Sequence, residues 1–467
     1  MSGAASENKV EKVGRIIILG AGPCGLGVAY RLHELGHTNF FVFEREDRVG
    51  GLAASYRDPE GFTWDCGVHV LFSKYSYFNA VIDDVIGHEW HAQRRDAQIW
   101  MLDRFVPYPL QYNIHRLPEK VCRECIVGLT EAAKRNGECA SFLDWIFTSF
   151  GGGIARHFMV PYNEKLWAIS LDCMSHDWIA ERVPRPNLDR VLSNLKNCHD
   201  DDSWGPNAYF HYPKSGGTGA LWQRVAERIP AERFRMAHTA KRIDTTQRRV
   251  FFEGESYQDY DVLVSTMPLN RLVEIAELDP FREPAGMLKS STVHLIGIGV
   301  EGETPFHLLD RRWIYFPDAS VPFYRASVLS NFSPSNAPAG HWSILAEVSE
   351  SQHRRADRDE LTEAVIAGAV QVGLLENSSR IVSRWHRVLA PGYPTPTKSR
   401  DRALEVILPG LEGLRIYSRG RFGAWKYEIS NQDHSFVQGV ELAERLILGR
   451  PERLLNNNWT AETVATA

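Results

Sequence analysis

A glycine-rich segment near the N-terminus constrains the fold of this chain more than any other feature. Arg15 to Leu19 is a short and mostly apolar run, which is typical of a strand buried on both faces. It leads directly into Gly20-Ala21-Gly22-Pro23-Cys24-Gly25, after which a helix is predicted to continue to about Leu35. Phe40 to Glu44 is predicted to be a second strand. The segment therefore predicts a strand, a tight glycine turn, a helix and a strand that ends on an acid.

This order gives each glycine a role in binding a dinucleotide. Gly20 permits a tight turn, Gly22 lets a pyrophosphate approach the backbone, and Gly25 lets the helix pack close to the strand. The helix N-terminus offers unpaired N–H groups and the positive end of its dipole to the phosphates. Glu44 is placed to accept hydrogen bonds from an adenosine ribose. We therefore predict a Rossmann-like dinucleotide site rather than a simple glycine turn.

The residues that follow Glu44 indicate which dinucleotide is bound. Arg48-Val49-Gly50-Gly51-Leu52, followed by Ser55, resembles the opening of FAD-dependent proteins of the glutathione-reductase type, in their amine-oxidase-like branch. In that branch an Arg-x-Gly-Gly-x-x-x-Ser/Thr run follows the acid. The resemblance favours FAD over NAD.

Length, charge and cysteine content exclude several classes of protein. The 467 residues are enough for two or three domains, and the formal net charge of −5 does not favour nucleic acid or an anionic membrane surface as a partner. No apolar run reaches the length of a membrane-spanning helix, and residues 1–13 lack the apolar core of a signal peptide. The odd number of cysteines, 7, fits a reducing compartment, so a cytoplasmic protein is expected.

The order of predicted elements indicates a discontinuous organisation. We predict an α/β fold with a Rossmann-like FAD-binding domain (10–75, 205–268 and 400–450), a mainly helical insertion domain (76–204) and a mostly antiparallel β-sheet domain (269–399). Gly151-Gly152-Gly153 is predicted to be a loop inside the helical part. No linker or low-complexity segment separates the three parts, so the chain is expected to cross between them several times.

Few residues suggest chemistry carried by protein groups alone. The sequence has no metal-ligand cluster, no Gly-x-Ser-x-Gly motif and no obvious pair of carboxylates, and Cys122-x-x-Cys125 has no second pair nearby. Arg182 and Arg325 have the planar fork that suits a diphosphate, although a structural ion pair is the common role of a single arginine. Taken alone, His69 is more often a core histidine than a catalytic one.

Several longer motifs, in the same order along the chain, resemble the UDP-galactopyranose mutase family and specifically its eukaryotic-type branch. The resemblance runs from about Arg15 to about Gly449. Its motifs are Val106-Pro107-Tyr108-Pro109, Phe158-Met159-Val160-Pro161-Tyr162-Asn163-Glu164-Lys165-Leu166-Trp167-Ala168, Trp204-Gly205-Pro206-Asn207, Gly216-Gly217-Thr218-Gly219, Tyr315-Phe316-Pro317, Pro322-Phe323-Tyr324-Arg325, Gly392-Tyr393-Pro394-Thr395-Pro396-Thr397, and the stretches Ser418 to Glu428 and Asn431 to Phe436.

The resemblance implies a flavin-dependent isomerase that interconverts UDP-galactopyranose and UDP-galactofuranose. In that family reduced FAD is the nucleophile, and the reaction passes through a covalent flavin–sugar adduct that recloses as a furanose before UDP returns. The net redox change is zero, yet the flavin must first be reduced, in the eukaryotic-type branch by NADPH. The implied partner is a UDP-hexose substrate; neither nucleic acid nor a membrane is expected, and homo-oligomerisation is left open.

The resemblance also assigns roles to individual positions. The implied catalytic residues are His69, Arg182 and Arg325, with the two arginines on the diphosphate. The implied substrate-binding residues are Arg95, Tyr108, Gln111, Asn163, Trp167, Asn207, Tyr315, Tyr393 and Tyr427. The implied cofactor-binding residues are Gly20, Gly22, Cys24, Gly25, Glu44, Gly50, Gly51, Leu52, Gly67, Val68, Arg242, Gly420, Arg421, Asn431, Gln432 and Ser435. No metal ligand is predicted.

Two departures from the family pattern concern the expected site. Val68 stands where the eukaryotic-type enzymes have a second glycine before the histidine, and its β-branch restricts the loop. Leu110 replaces an aromatic residue beside the uridine, which is expected to weaken stacking. Two alternatives therefore stay open on the sequence alone: the same ring contraction on a different nucleotide sugar, and an FAD-dependent oxidoreductase of the amine-oxidase or protoporphyrinogen-oxidase kind.

Overall fold

The structure is a computed structural model that describes residues 13–134, 137–179, 183, 185–201 and 208–455. Its helices are α1 (Pro23–Glu34), α2 (Ser76–Ile86), α3 (Glu119–Ala132), α4 (Phe142–Ile154), α5 (Val160–Trp167), α6 (Leu188–Asn197), α7 (Gly217–Glu227), α8 (Leu269–Ile275), α9 (Asp279–Met287), α10 (Leu361–Gln371), α11 (Arg400–Gly413) and α12 (Gln432–Leu448). One turn of π-helix, Ala155–Met159, joins α4 to α5.

The strands form two large sheets and three small ones. They are β1 (Ile16–Leu19), β2 (Phe40–Phe43), β3 (Ser55–Arg57), β4 (Thr63–Asp65), β5 (Trp90–Arg94), β6 (Ala97–Met101), β7 (Arg104–Pro107), β8 (Tyr209–Pro213), β9 (Phe234–Arg235), β10 (Ala240–Asp244), β11 (Arg249–Phe252), β12 (Tyr257–Asp259), β13 (Val262–Ser265), β14 (Lys289–Glu301), β15 (Trp313–Tyr315), β16 (Arg325–Val328), β17 (His341–Glu350), β18 (Ile381–Thr395) and β19 (Ile416–Ser418).

The first large sheet contains the N-terminal strand and is entirely parallel. Its order is β19-β13-β1-β2-β9. Ile16 and Ile18 of β1 pack against α1 and α12 on one face, whereas Ile17 and Leu19 pack against α8 and α11 on the other. Burial on both faces is the reason why this strand is apolar at every position. The Rossmann-like α/β part of the predicted fold is thereby confirmed.

The second large sheet is mostly antiparallel, as predicted. Its order is β18-β14-β17-β16-β15-β6-β7, and only β15 and β6 run parallel. The strands β6 and β7 come from the stretch that was predicted to be mainly helical, so that stretch contributes to both the helical region and the sheet. The sheet thus takes strands from two of the three predicted domains, and the proposed domain limits remain a prediction.

The β3–β4 hairpin packs on the antiparallel sheet through aromatic residues that lie against glycines of β14. Trp64 of β4 lies so close to Gly297 that a Cβ there would come within 2.7 Å of the indole ring. Phe62 lies against Gly299 in the same way, at 2.5 Å. Trp64 also stacks on Trp385 of β18, with ring centroids 5.9 Å apart. Glycine in this strand therefore leaves the space that lets the β3–β4 hairpin dock on the antiparallel sheet.

The predicted loop at Gly151-Gly152-Gly153 is wrong. The helical path of α4 continues to Ile154 and is interrupted only at Gly151, whose φ is 69°. A Cβ on Gly151 would lie 2.0 Å from the Gly128 carbonyl oxygen of α3. Gly153 lies equally close to Glu124 and Cys125 of α3, so Gly151 and Gly153 let the two helices pack at very short distance and have a packing role rather than a loop role.

None of the helices in the described part of the chain has the length and apolar character needed to cross a membrane.

Candidate cofactor and substrate site

The glycine turn after β1 has the geometry that a dinucleotide requires. Gly20 has a φ of 106°, and its N–H donates to the Phe43 carbonyl at 2.8 Å. Gly22 is the N-cap of α1, with Pro23 in the first helical turn. A Cβ on Gly25 would lie only 1.9 Å from the Gly20 carbonyl oxygen, so the helix packs against the turn as closely as the backbone allows. The N-terminus of α1 is thus placed at the end of the strand, where a phosphate binds.

Glu44 holds this turn in place. One carboxylate oxygen accepts a hydrogen bond from the Ala21 N–H at 2.7 Å, and the other accepts from the Glu46 N–H at 2.9 Å. The side chain is buried. A carboxylate has about four lone-pair positions, so Glu44 retains capacity to accept from a ribose hydroxyl as well.

A cavity of about 1450 Å³ begins at this turn and extends to the start of α12. It is large enough for FAD, since pockets for drug-sized ligands occupy roughly 300–1,000 Å³. Its walls include these implied cofactor residues: Gly20, Gly22, Cys24, Glu44, Gly51, Leu52, Gly420, Arg421, Gln432 and Ser435. The residues present therefore fit FAD, with a phosphate-binding helix end, an acid near the ribose position and a continuous channel between them.

Other implied cofactor residues contact the segments that form the cavity wall. Gly25 packs against Gly20, and the Gly50 N–H donates to the Ala21 carbonyl at 2.9 Å. Asn431 is the N-cap of α12. Arg242 is different, because its guanidinium lies 3.9 Å from the Phe251 ring centroid and near Asp244. The cavity wall at that point consists instead of His238, Thr239 and Ala240.

The cavity also has basic residues that were not predicted from the sequence. Arg45, Arg271, Arg282 and Arg387 all line it. Arg387 lies over the Tyr56 ring, 3.9 Å from its centroid. Since FAD carries a diphosphate, a basic lining is favourable for binding it.

His69 lies at the end of the cavity, on the loop that follows β4. The loop turns at Gly67, whose φ is 85°, and Val68 packs into the core with 8% of its surface exposed. Burial, followed by the positive charge of Arg421, lowers the pKa of His69 to about 4. At neutral pH the imidazole is therefore uncharged and can act as a donor at one nitrogen and an acceptor at the other.

We predict that His69 makes the protein less stable as the pH falls from about 6.5 to about 4. The unfolded chain takes up the proton first, because its histidine has a pKa near 6.5, and the penalty is complete below about 4. The expected loss in the free energy of unfolding is roughly 3 kcal/mol. Urea unfolding of the wild type and His69→Gln across this range measures it. The exposed His33→Gln is the control, and an equal pH slope in wild type and His69→Gln contradicts the prediction.

A cluster of aromatic residues adjoins the His69 end of the cavity. The ring centroids of Tyr393 and Tyr427 are 5.9 Å apart, and Trp167 lies 6.0 and 4.9 Å from them respectively. Tyr108 and Tyr315 are 5.3 Å apart. The fold thus brings together five of the implied substrate residues, which are distant along the chain.

Arg421 connects this cluster to the cavity. It lines the cavity, and its guanidinium lies 5.0 Å from the Tyr393 ring centroid and 5.9 Å from that of Tyr427. A ligand at the aromatic cluster would therefore be next to a cofactor in the cavity.

Arg325 is held rigidly beside the same cluster. Its Nε and Nη2 donate to the two carboxylate oxygens of Glu347 at 2.7 and 2.8 Å, and the Tyr324 hydroxyl donates to Glu347 at 2.6 Å. Burial alone would lower the pKa of Arg325, but Glu347 raises it well above its usual value. An arginine has five N–H donors, so the edge that faces away from Glu347 keeps donors for a ligand.

The remaining implied substrate residues lie around the helix α5 and strand β6. Asn163 is buried and donates to the Met159 carbonyl at 2.7 Å, and Gln111 is buried as well. The Arg95 guanidinium lies 4.8 Å from the Trp313 ring centroid. Leu110 is fully buried in the core beside Gln111. Arg182 and Asn207 lie outside the described residues.

Several residues near the cluster were missed by the sequence analysis. Glu347 and Tyr324 orient Arg325, and Tyr162 lies 5.5 Å from Tyr315 between ring centroids. Lys165 donates from its buried Nζ to the carbonyls of Asp318 at 2.6 Å and Val321 at 2.9 Å. It therefore ties α5 to the segment between β15 and β16. Glu347 lies among apolar residues in β17, and a glutamate in such a strand indicates a buried ion pair, so the sequence did contain a signal for the partner of Arg325.

Metal and disulfide chemistry find no support in the described ranges. They contain no group of three or more His, Cys, Asp or Glu side chains arranged to hold a metal ion. The cysteines are free, and Cys122 and Cys125 are buried. Burial raises the pKa of the Cys24 thiol in the phosphate turn, so it remains protonated as a packing residue.

Comparisons with known proteins agree with this geometry. A family model for flavin containing amine oxidoreductases matches residues 23–417. The crystal structure of a reduced UDP-galactopyranose mutase superposes with a TM-score of 0.94 and 40% identity, over 97% of this chain and 98% of that chain. Wild-type putrescine oxidase superposes with a TM-score of 0.64 and 15% identity, over 93% of this chain and 99% of that one, and so shares the fold alone.

Two sequence relatives match short segments of the chain. The 15-cis-phytoene desaturase of Synechococcus elongatus is 41% identical over 61 residues, which is 13% of either chain. Protoporphyrinogen oxidase 2 of Arabidopsis thaliana is 35% identical over 86 residues, which is 18% of this chain and 16% of the relative. The chain thus matches less than a fifth of the length of these two relatives.

The parallel sheet, the glycine turn and the cavity define a flavoprotein of the amine-oxidoreductase class, with FAD as its cofactor. Within that class, the chain belongs to the UDP-galactopyranose mutase family of flavin-dependent isomerases. The resemblance drawn from the motifs is confirmed.

Proposed function

We propose that this protein interconverts UDP-galactopyranose and UDP-galactofuranose, with reduced FAD in the cavity. The observation that carries the proposal is the position of Arg421, which lines the cavity and also lies over the rings of Tyr393 and Tyr427. A cofactor and a nucleotide sugar can then meet at one point. Reduced FAD supplies the nucleophile when bound, which fits a site whose described residues have no evident protein nucleophile.

The diphosphate of the substrate is proposed to bind at Arg325. Its guanidinium is held by Glu347, so little side-chain entropy is lost on binding. Burial raises the pKa of Tyr393, so its hydroxyl remains a hydrogen-bond donor to phosphate oxygens. Tyr315 and Tyr427 are proposed to act in the same way, and Arg182 to complete the site. These donors stabilise the diphosphate as it leaves and returns.

The uridine and sugar are proposed to lie on opposite sides of this diphosphate site. Tyr108, Gln111, Asn163 and Trp167 would contact the uridine, and Arg95 and Asn207 would lie near the sugar. The indole N–H of Trp167 is buried and finds no hydrogen-bond acceptor among the described residues. Because a buried donor without a partner costs about 1–3 kcal/mol, a ligand oxygen at this position would be favourable.

His69 is proposed to face the flavin as an uncharged residue. Its lowered pKa keeps it neutral at physiological pH, so it can accept or donate a hydrogen bond near the reacting atoms. The aromatic cluster next to the cavity is proposed to exclude water from the site, which would strengthen the hydrogen bonds to the diphosphate.

NADPH is proposed as the reductant and the cytoplasm as the location. The reaction has no net redox change, so one reduction activates the enzyme for many turnovers. The described cysteines are all free, which is in keeping with a reducing compartment. The state of oligomerisation is left open.

Incubation with UDP-galactofuranose and UDP-galactopyranose tests the proposed function. Enzyme reduced with dithionite or NADPH is expected to interconvert the two sugars, and oxidised enzyme is expected to form no product, as resolved by chromatography. An oxidase would instead consume oxygen in every turnover. Intact bound FAD without interconversion would reject this substrate, and a panel of other UDP-sugars would then test the same ring contraction on a different sugar.

A further inference from the structure

The loop that carries His69 is anchored on one buried carboxylate. Asp65 is the last residue of β4 and is fully buried. It accepts hydrogen bonds from the Ser55 hydroxyl at 2.5 Å, the Tyr212 hydroxyl at 2.7 Å and the Thr218 N–H at 3.1 Å. The strand end, the N-terminus of α7 and β8 are therefore fixed relative to one another at the point where the loop begins.

Beyond Asp65, hydrogen bonds to neighbouring segments hold both ends and the middle of the loop. The Cys66 N–H donates to the Ala54 carbonyl at 3.1 Å, and the Leu71 N–H donates to the His211 carbonyl at 3.0 Å. These bonds fix the two ends. Between them, the Val70 carbonyl accepts from Gln432 Nε2 at 3.2 Å, and the His69 carbonyl accepts from the Thr218 hydroxyl at 2.7 Å.

The Thr218 hydroxyl has two acceptors within reach. Besides the His69 carbonyl, the Asp65 carboxylate oxygen Oδ2 lies 3.1 Å from Thr218 Oγ1. A hydroxyl has a single proton, so it donates to one of them at a time. Thr218 is almost fully buried, so no solvent molecule replaces whichever partner it gives up.

We propose that Thr218 is a positioning residue whose hydroxyl latches the His69 loop. In the conformation described, the shorter distance assigns its proton to the His69 carbonyl. If the loop moves away, the hydroxyl transfers its hydrogen bond to Asp65 without a change of rotamer and is not left unpaired. Asp65 thus lowers the cost of releasing the loop, and Thr218 sets how firmly the loop is held.

The latch bears on the proposed function because His69 lies at the end of the FAD cavity. A loop held at the His69 carbonyl would keep the imidazole at one position in the cavity that a flavin would occupy. The inference rests on the proposed function only in this respect. The hydrogen bonds themselves are independent of which sugar, if any, the protein isomerises.

Hydrogen–deuterium exchange of the holoenzyme tests the latch. Thr218→Val keeps the side-chain shape and the backbone N–H bond to Asp65 but replaces the hydroxyl by a methyl group. Thr218→Ala removes the hydroxyl and adds no methyl group in its place. Thr218→Ser restores the hydroxyl. Exchange in peptides covering residues 66–71 is expected to rise about tenfold in the valine and alanine variants, the change that corresponds to one lost hydrogen bond, and to stay at the wild-type rate in the serine variant.

The midpoint potential of the bound FAD gives a second readout. It is expected to shift in Thr218→Val and Thr218→Ala and to return to the wild-type value in Thr218→Ser. Thr130→Val is a matched control, because the Thr130 hydroxyl donates to the Ile126 carbonyl at 2.8 Å within α3.

Unchanged exchange in both variants that lack the hydroxyl would overturn the proposal. Equal loosening in Thr218→Ser would also overturn it, because shape rather than the hydroxyl would then hold the loop. Neither readout requires turnover. A wild-type enzyme that converts no UDP-galactopyranose would therefore reject the proposed function and leave the latch to be judged on exchange alone.

Discussion

Arg325→Ala is expected to lower kcat/KM for the proposed mutase reaction by about 30- to 4000-fold, while FAD remains bound. The range follows from the 2–5 kcal/mol that loss of one member of a buried, hydrogen-bonded charge pair costs. Two effects are expected. The diphosphate loses its positioned donor, which lowers kcat/KM. The carboxylate of Glu347 is left buried with only the Tyr324 hydroxyl among the side chains that now bond it, which lowers the free energy of unfolding. Steady-state kinetics of the reduced enzyme and flavin absorbance of the purified variant measure kcat/KM and bound FAD.

Arg325→Lys separates charge from geometry. Lysine retains the positive charge but lacks the planar fork that contacts both oxygens of Glu347, so a loss close to that of alanine is expected. Arg358→Ala is the matched control. Arg358 also pairs with a glutamate of β17, Glu350 at 2.9 Å, but its side chain is largely exposed. Wild-type turnover in Arg325→Ala would remove this residue from the substrate site.

Gly22→Ala and Gly25→Ala are expected to fail in different ways, although both change the same turn. A Cβ on Gly25 would lie 1.9 Å from the Gly20 carbonyl oxygen, and neither backbone can yield without disrupting the β1–α1 turn. The free energy of unfolding of Gly25→Ala is expected to be lower than that of the wild type by about 1–3 kcal/mol or more. On Gly22 the nearest atom would be Gly51 Cα at 3.8 Å, which is ordinary contact, and the φ of −77° suits alanine.

Gly22→Ala should therefore fold normally and bind FAD about 10- to 100-fold more weakly, because the added methyl group displaces the pyrophosphate from charge-assisted N–H bonds of about 1.5–3 kcal/mol each. Urea unfolding of the apoproteins and fluorescence titration with FAD measure the two effects separately. Gly413→Ala, which meets no atom within 4 Å, is the control for helix propensity. Equal FAD affinity in Gly22→Ala and wild type would contradict the assignment of this turn to the phosphates.

The parts of the fold that the sequence predicted correctly have local or strictly periodic signals. The turn from β1 to α1 was predictable because glycine is required there by the backbone itself. The strands β13, β14 and β17 were predictable from continuous or alternating apolar residues. By contrast, β18 was missed, since its residues alternate weakly at the edge of the sheet, and proline lies near its end.

The errors share one cause, which is that the deciding partner is distant along the chain. The glycines at 151–153 predict a loop when they are considered alone, but Gly151 packs directly against Gly128 of α3. The assignment of Arg242 to the cofactor stays a prediction, since it concerns the backbone of this residue, whereas its side chain packs on Phe251 near Asp244. Pairing across a sheet and packing between helices depend on such partners, so residue type and spacing cannot specify them.

By itself, the sequence determined that this protein binds a dinucleotide and belongs to an FAD-dependent family, because a glycine turn, a helix end and an acid act within about 30 residues of chain. The tertiary structure alone decided how the remaining site is built. It brings Tyr108, Tyr315, Tyr393 and Tyr427 into one cluster, gives Arg325 its buried partner Glu347, and lays Thr218 against the His69 carbonyl. Those contacts join residues more than 20 positions apart, and only the folded chain brings them together.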